Sequence, residues 1–289
     1  MATAVATAVR PGFGIGLVLL AMLIFAGQDA VTKTLVAALP VAQVVMVRHV
    51  VFALFATLLI AAKPGGVTHA LRADRPWLQV LRASIAVFEI GLFAFTVTRI
   101  PLSSALAIFA ICPLVTTALA ALVLGERVGP ARWLAVTAGF AGVLVVLRPG
   151  AAVFDPDALL AVACAVIFGF YQVLSRLVSR TDSFETTYGY SAWIGCLLTL
   201  LVGPFVWVAP SGAEWLMLGI LSTTGITGHM LLMKALQTAP ASTVQPFTYT
   251  QLVWGLLIAV TVFGERPDAA TLGGAAAIVA AGLLALRAR

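Results

Sequence analysis

Charge is the scarcest property of this 289-residue chain: Asp, Glu, Lys and Arg together make up 10% of it, against 62% hydrophobic residues. Soluble domains carry about 25% charged residues, so an ordinary water-soluble fold is excluded. Cysteine is nearly missing too. Cys112, Cys164 and Cys196 are odd in number, lie inside apolar runs and form no metal-spaced pair, which excludes a disulfide framework and leaves them as packing residues. The three histidines, His49, His69 and His229, are spread too widely to argue for a metal, and no cofactor is expected. No phosphate-binding loop, HExxH or GxSG arrangement occurs, which argues against an ATP-driven pump and an intramembrane enzyme. A channel would need a ring-forming repeat of acids or a carbonyl-rich filter, and neither is present.

What is present is a stretch that occurs twice. Residues 100–127 read IPLSSALAIFAICPLVTTALAALVLGER, and residues 239–266 read APASTVQPFTYTQLVWGLLIAVTVFGER. Pro101 pairs with Pro240, Ser103-Ser104 with Ser242-Thr243, and the Gly-Glu-Arg at 125–127 with that at 264–266, all at an ungapped offset of 139. A fixed offset across several anchors indicates an internal duplication. Each copy has the length and apolarity of one membrane span, with proline at the helix start and Gly-Glu-Arg as its stop.

Apolar runs separated by charge, proline or glycine predict ten spans. They fall at about 12–37, 41–62, 76–98, 102–124, 131–148, 157–178, 185–207, 213–236, 241–263 and 269–286. The first run is too long for a signal-peptide core and is expected to stay as a span. The loop around 149–157 divides the chain into two five-span units, 11–149 and 156–289. An odd number of spans per unit makes the second enter the membrane from the opposite side, giving an inverted repeat. Placing the N-terminus inside puts Arg10, Lys63, Arg72, Arg75, Arg127, Arg132, Arg176, Arg180, Lys234, Arg287 and Arg289 on the cytoplasmic side. Both termini are then cytoplasmic, and the net charge of +6 reports orientation rather than nucleic-acid binding. A second offset of 143 links Ile24-Phe25 to Ile167-Phe168 and Thr32-Lys33 to Ser175-Arg176, so the first span resembles the sixth.

These features resemble the drug/metabolite transporter superfamily, in its ten-span branch of two EamA-type repeats. The resemblance rests on the hairpins at Ile100-Pro101 and Ala239-Pro240, the two Gly-Glu-Arg stops, the glycine-rich fifth span with Trp133, Gly139 and Gly142, and Arg48 in the second span. The second half departs from it, with Leu272 at the Trp133 position and Pro267-Asp268 after its Gly-Glu-Arg. The resemblance implies an all-α bundle in the bacterial inner membrane that exports amino acids or related small metabolites.

Ionisable groups inside spans cost several kcal/mol and so mark a cavity, a partner or the membrane edge. Asp29 and Lys33 are four apart and share a helix face, either as a self-satisfied ion pair or as substrate contacts. Gln28 beside them, with Tyr171-Gln172 at the equivalent place in the sixth span, suggests a lined cavity between the repeats. Glu89 is expected to face that cavity, with Arg82 seven residues earlier as its nearest partner on the same helix. Lys234 and Arg82 read as snorkelling residues and Arg48 as an anchor at the outer end of its span. His229, Gln245 and Tyr249 are further polar candidates, and Phe93, Trp193 and Trp254 candidates for an apolar wall. Pro113 and Pro246 permit bends suited to gating. Trp77, Trp133, Trp207 and Trp215 lie near span ends as an interfacial belt. Small-residue faces in the fifth span, and at Gly273, Ala277 and Ala281 in the tenth, allow close helix packing and suggest a homodimer. The expected function is a secondary transporter working by alternating access. Its expected cargo is an amino acid, with a drug, amine or nucleoside-type metabolite as the alternative.

Overall fold

A computed structural model of the chain describes residues 11–125, 128–148, 155–238 and 245–287. Glu126, Arg127, Pro240, Ser242 and Thr243 of the duplicated motif lie outside these residues. Every regular element among the described residues is helical. The helices are α1 (Pro11–Val36), α2 (Val41–Ala61), α3 (Gly66–Ala70), α4 (Pro76–Arg99), α5 (Leu102–Phe109), α6 (Cys112–Leu124), α7 (Pro130–Leu147) and α8 (Ala158–Val178). They continue with α9 (Phe184–Leu200), α10 (Gly212–Thr238), α11 (Thr250–Thr261) and α12 (Ala269–Arg287). Short 3-10 turns occupy Gly203–Val206 and Gln245–Tyr249.

Six segments are long and apolar enough to cross a membrane: Gly12–Val36, Val41–Ala61, Pro76–Arg99, Leu102–Val123, Ala158–Val178 and Gly212–Leu232. The fifth, ninth and tenth expected spans contain shorter apolar helices, Trp133–Leu147, Phe247–Thr261 and Ala269–Leu284, and the seventh contains the 17-residue α9. Large apolar side chains point outwards, among them Leu58, Leu122, Leu134 and Phe205 at 72%, 74%, 72% and 86% exposure. Water would not tolerate so much outward apolar surface, whereas lipid does. The chain is an all-helical multi-pass membrane protein.

Local sequence sets the breaks. Pro76 and Pro130 open their helices where no N–H is needed; Gly125 caps its helix at φ 65°, the left-handed stop expected of Gly-Glu-Arg, while Gly264, at φ 63°, lies two residues beyond the Val262 cap of α11. The fourth expected span is interrupted at Ala110-Ile111, because Pro113 has no N–H to give the carbonyl of Phe109.

In the bundle α1 packs on α10, α4 on α8, α2 on α9 and α7 on α12, while α1 also meets α11 as α8 meets α5 and α6. Exchanging α1 with α8, α2 with α9, α4 with α10, α5–α6 with α11 and α7 with α12 leaves this set of neighbours unchanged. The small-residue faces are used inside the chain. A Cβ at Gly142 would lie 2.9 Å from Ile278 Cγ1 and 3.0 Å from the Gly274 carbonyl, so α7 and α12 approach backbone to backbone. The homodimer expected from those faces therefore loses its structural basis.

At one end of the bundle three ion pairs join residues 12–148 to residues 156–287. Lys33 Nζ lies 2.5 Å from Glu265 Oε1, Arg99 lies 3.3 Å from Asp157, and Arg148 pairs with Asp268. Glu265 also accepts the Leu102 and Ser103 amides at 2.8 and 2.9 Å, capping α5 from across the bundle. Burial pushes the Glu265 carboxyl up, but its bonds to Lys33, Ser103 and Leu102 outweigh that and hold it below the ordinary glutamate value.

Candidate functional site

Inside the bundle three ionisable side chains from three helices lie within electrostatic range of one another. Asp29 comes from α1, Arg48 from α2 and Glu89 from the middle of α4; Asp29 and Glu89 are 8% and 6% exposed. Arg48 is the cation in electrostatic range of both carboxylates. Among the described residues, no nitrogen of Arg48 comes within 4.0 Å of either acid, since the ion pairs are elsewhere. The three groups thus stand inside the same bundle without an ion pair between them.

Acceptors gather around Asp29 and Arg48. Asp29 Oδ2 accepts from Gln251 Nε2 of α11 at 3.0 Å. Gln28 is buried, and its Oε1 has no hydrogen-bond partner. A Cβ added at Gly225 of α10 would lie 3.0 Å from that oxygen and 3.3 Å from Arg48 Nη2, so both side chains converge on the bare backbone of α10. One turn later His229 Nδ1 donates to the Gly225 carbonyl at 2.9 Å, which leaves Nε2 as an acceptor. Its ring meets Phe25 edge-on at 5.0 Å. Five helices, three from residues 12–148 and two from 156–287, supply this cluster.

An aromatic row belongs to the same region of the bundle. Phe93, Phe109, Phe168 and Tyr171 follow one another with centroids 5.4, 5.4 and 5.7 Å apart, and the Arg82 guanidinium lies 5.7 Å from the Tyr171 ring. All four rings are half-buried.

The expected site residues divide accordingly. Gln28, Asp29, Glu89 and His229 converge, and Phe93 and Tyr171 stand in the aromatic row. Lys33 does not pair with Asp29: it sits one turn closer to the helix end, where Glu265 and the Phe263 ring take its ammonium. Nor does Arg82 reach Glu89 or snorkel. At 1% exposure it binds Gln79 Oε1, the Thr187 carbonyl and Ser191 Oγ at 3.1, 2.8 and 2.8 Å, anchoring α9. Gln172 is exposed, and Trp193 donates to Thr57 Oγ1 at 2.9 Å. Tyr249 is buried against Gly282 of α12 with its hydroxyl unpartnered. Trp254 is half-buried; the side chains of Gln245 and Pro246 lie outside the described residues. Pro113 stands just after the α5–α6 break. Sequence reasoning missed Gln251, and it read Arg48 as an anchor when it is the cation of the cluster. An arginine seven residues into an apolar span with no acid on its own helix was the available signal.

The comparisons with known proteins agree with one another. The family described as EamA-like transporter family matches residues 12–148 and again 156–287. A protein of Rickettsia conorii (strain ATCC VR-613 / Malish 7) named S-adenosylmethionine uptake transporter is 29% identical over 92% of this chain and 90% of its own. A riboflavin transporter of Vibrio cholerae serotype O1 is 30% identical over 83% of this chain and 81% of its own. The pseudopaline exporter CntI of Pseudomonas aeruginosa (strain UCBPP-PA14) is 26% identical over 93% and 94%. A solved crystal structure shares the fold, with a TM-score of 0.62 and 23% identity over 94% of both chains.

Proposed function

The chain belongs to the EamA-like transporter family, and from that premise we propose that it is a secondary transporter whose substrate binds between its two halves at the Asp29–Arg48–Glu89 cluster. The halves are taken as two inverted five-span units, 11–149 and 156–289, crossing the bacterial inner membrane ten times with both termini in the cytoplasm. The set of helix neighbours, unchanged when the halves are exchanged, supports that reading. Rocking of one half against the other opens the cluster to each side in turn.

The observation that carries the proposal is that these groups, all inside the bundle, make no ion pair with one another. Two carboxylates and a guanidinium inside a lipid-embedded bundle cost several kcal/mol to bury apart. A structural network would close them into contact, and a binding site leaves room for a guest. The cargo we propose is an amino acid or a metabolite built on one, since a carboxylate suits Arg48 and an ammonium suits Asp29 and Glu89. The Rickettsia relative's name points the same way, because S-adenosylmethionine is an amino-acid derivative. Export, the direction expected from sequence, matches the Pseudomonas relative's name and not the Rickettsia one; in an alternating carrier the substrate gradient sets the direction. A second reading, a ring-bearing metabolite of the amine, drug or nucleoside type, is favoured by the Phe93–Phe109–Phe168–Tyr171 row.

Counter-flow of radiolabelled amino acids, nucleosides and amine drugs into proteoliposomes tests both. Saturable amino-acid exchange is the expected result. Exchange of nucleosides or drugs alone would transfer the cargo to the second reading, and unsaturable flux would remove the carrier.

A further inference from the structure

Resting on the transporter reading, we infer that Gly225 is a specificity-determining residue. Its bare backbone lets Gln28 and Arg48 meet as a subsite for the head group of an α-amino acid, a carboxylate beside an N–H donor. The duplication makes two places in the bundle comparable, and they are filled differently.

At the offset of 143, Gln28, Arg48 and Arg82 fall on Tyr171, Ser191 and Gly225. Arg82 of α4 stands between α8 and α9, its guanidinium 5.7 Å from the Tyr171 ring and its Nη2 2.8 Å from Ser191 Oγ. Exchanging the halves turns that place into the one where Arg48 of α2 stands beside Gln28 of α1 and Gly225 of α10. Each place holds one guanidinium. Where the first has arginine the second has glycine, and where the first has serine the second has arginine.

The two guanidinium groups are used differently. Arg82, 1% exposed, commits its Nε–Nη2 edge to three protein oxygens, on Gln79, Thr187 and Ser191. Arg48 turns the same edge to α10: Nη2 and Nε are 3.3 and 3.4 Å from the point where a Cβ of residue 225 would stand. It is half-buried and donates no hydrogen bond among the described residues. A guanidinium in an apolar span needs oxygen acceptors, and Arg82 shows how this fold supplies them from the protein. Beside Gly225 the acceptor has to come from a guest, and the Nε–Nη2 fork fits the two oxygens of a carboxylate.

Gln28 is the independent observation. More than nine-tenths buried, with Oε1 unpartnered, it brings that oxygen to 3.0 Å from the same point. Acceptor and fork are therefore no farther apart than the sum of their distances to it, and one molecule with an ammonium next to its carboxylate answers both. A side chain at 225 would occupy the point where they meet. Even alanine must displace Gln28 Oε1 or Arg48 by a few tenths of an ångström.

Labelled alanine, methionine and lysine, each exchanged in proteoliposomes, are competed with the parent amino acid, its amide and its 2-deamino analogue. The amide lacks the carboxylate and the analogue lacks the ammonium. In wild type the parent should compete about tenfold better than either, equivalent to about 1.4 kcal/mol. Gly225→Ala should shrink both preferences to about threefold or less, whereas Gly219→Ala, with open space around it on the same helix, should keep them. Arg48→Lys should weaken the preference over the amide, and Gln28→Met that over the deamino analogue. Lower flux in Gly225→Ala with both preferences intact is a packing effect and overturns the inference. If that variant is not monodisperse, Arg48→Lys and Gln28→Met decide, and preferences kept in both overturn it. Equal competition by amide and parent in wild type overturns it and leaves the amino-acid carrier standing. Exchange of none of the three amino acids overturns it together with the proposed cargo.

Discussion

Replacing Glu265 by glutamine should destabilise the protein more than any other single change at that end of the bundle. The carboxylate makes three bonds, to Lys33 at 2.5 Å and to the Leu102 and Ser103 amides at 2.8 and 2.9 Å, with its side chain 11% exposed. Glutamine keeps one acceptor oxygen, so it can hold one amide but neither the second nor the charge of Lys33. Hydrogen bonds to charged groups contribute about 1.5–3 kcal/mol and a lost helix cap about 1 kcal/mol. Partial exposure of Lys33 discounts the ion pair, leaving a loss of about 2–4 kcal/mol. At about 2–4 °C per kcal/mol for a chain of this class, the unfolding midpoint in detergent should drop by roughly 4–16 °C. Glu265 is held below its ordinary value, so its contribution is complete above about pH 4.5 and is lost as the pH falls through the lower folded value. The gap between wild type and Glu265→Gln should therefore close on acidification. Thermal unfolding of Glu265→Gln, Lys33→Met and the double variant, read by tryptophan fluorescence across pH, measures all three points. A midpoint within about 1 °C of wild type, or strict additivity of the two changes, would refute the clasp.

Arg82→Met removes a fully buried guanidinium and leaves Gln79, Ser191 and the Thr187 carbonyl without its bonds; a loss of about 3–5 kcal/mol is expected, visible as reduced monodisperse yield, and Arg82→Lys should not restore it because one ammonium cannot reproduce the fork. Gly142→Ala should lower the unfolding midpoint through about 1–3 kcal/mol of overpacking, since the new Cβ meets Ile278 and the Gly274 carbonyl, whereas Gly273→Ala, with open space around it, should not.

The sequence made the spans and the duplication readable because both are local properties: length of an apolar run, a proline before it, a glycine after it. Gly125 caps its helix at positive φ as its motif implies, and Gly264, also at positive φ, follows two residues after the Val262 cap. The partners of Lys33 and Arg82 were not readable for the opposite reason. Lys33 and Glu265 stand 232 positions apart, while Asp29 on the next turn offered a local answer that the fold does not use. Helical spacing names the residues that share a face, but the neighbouring helix decides which of them finds a partner. Arg48 shows the same limit: its lone charge on an apolar helix is a signal, but α2 alone does not say that Gln28 of α1 and Gly225 of α10 lie beside it. Gln28, Asp29, Glu89 and His229 could be anticipated because polarity in an apolar span is itself the signal.

The three ion pairs that tie the halves together at one end are not equally duplicated. Lys33 and Glu265 have sequence twins in Arg176 and Glu126, but Asp157 and Asp268 fall opposite glycines, Gly14 at the offset of 143 and Gly129 at 139. Two perfectly matched halves would give a carrier whose two end states have equal energy. If the chain alternates as proposed, the Arg99–Asp157 and Arg148–Asp268 pairs add weight to the state closed at their end. Partly exposed pairs of this kind contribute about 0–1 kcal/mol each, so about 1 kcal/mol between them would set a resting ratio near five to one. Salt weakens such pairs, so in the proposed carrier the idle posture, and with it the side on which an empty site waits, would depend on ionic strength.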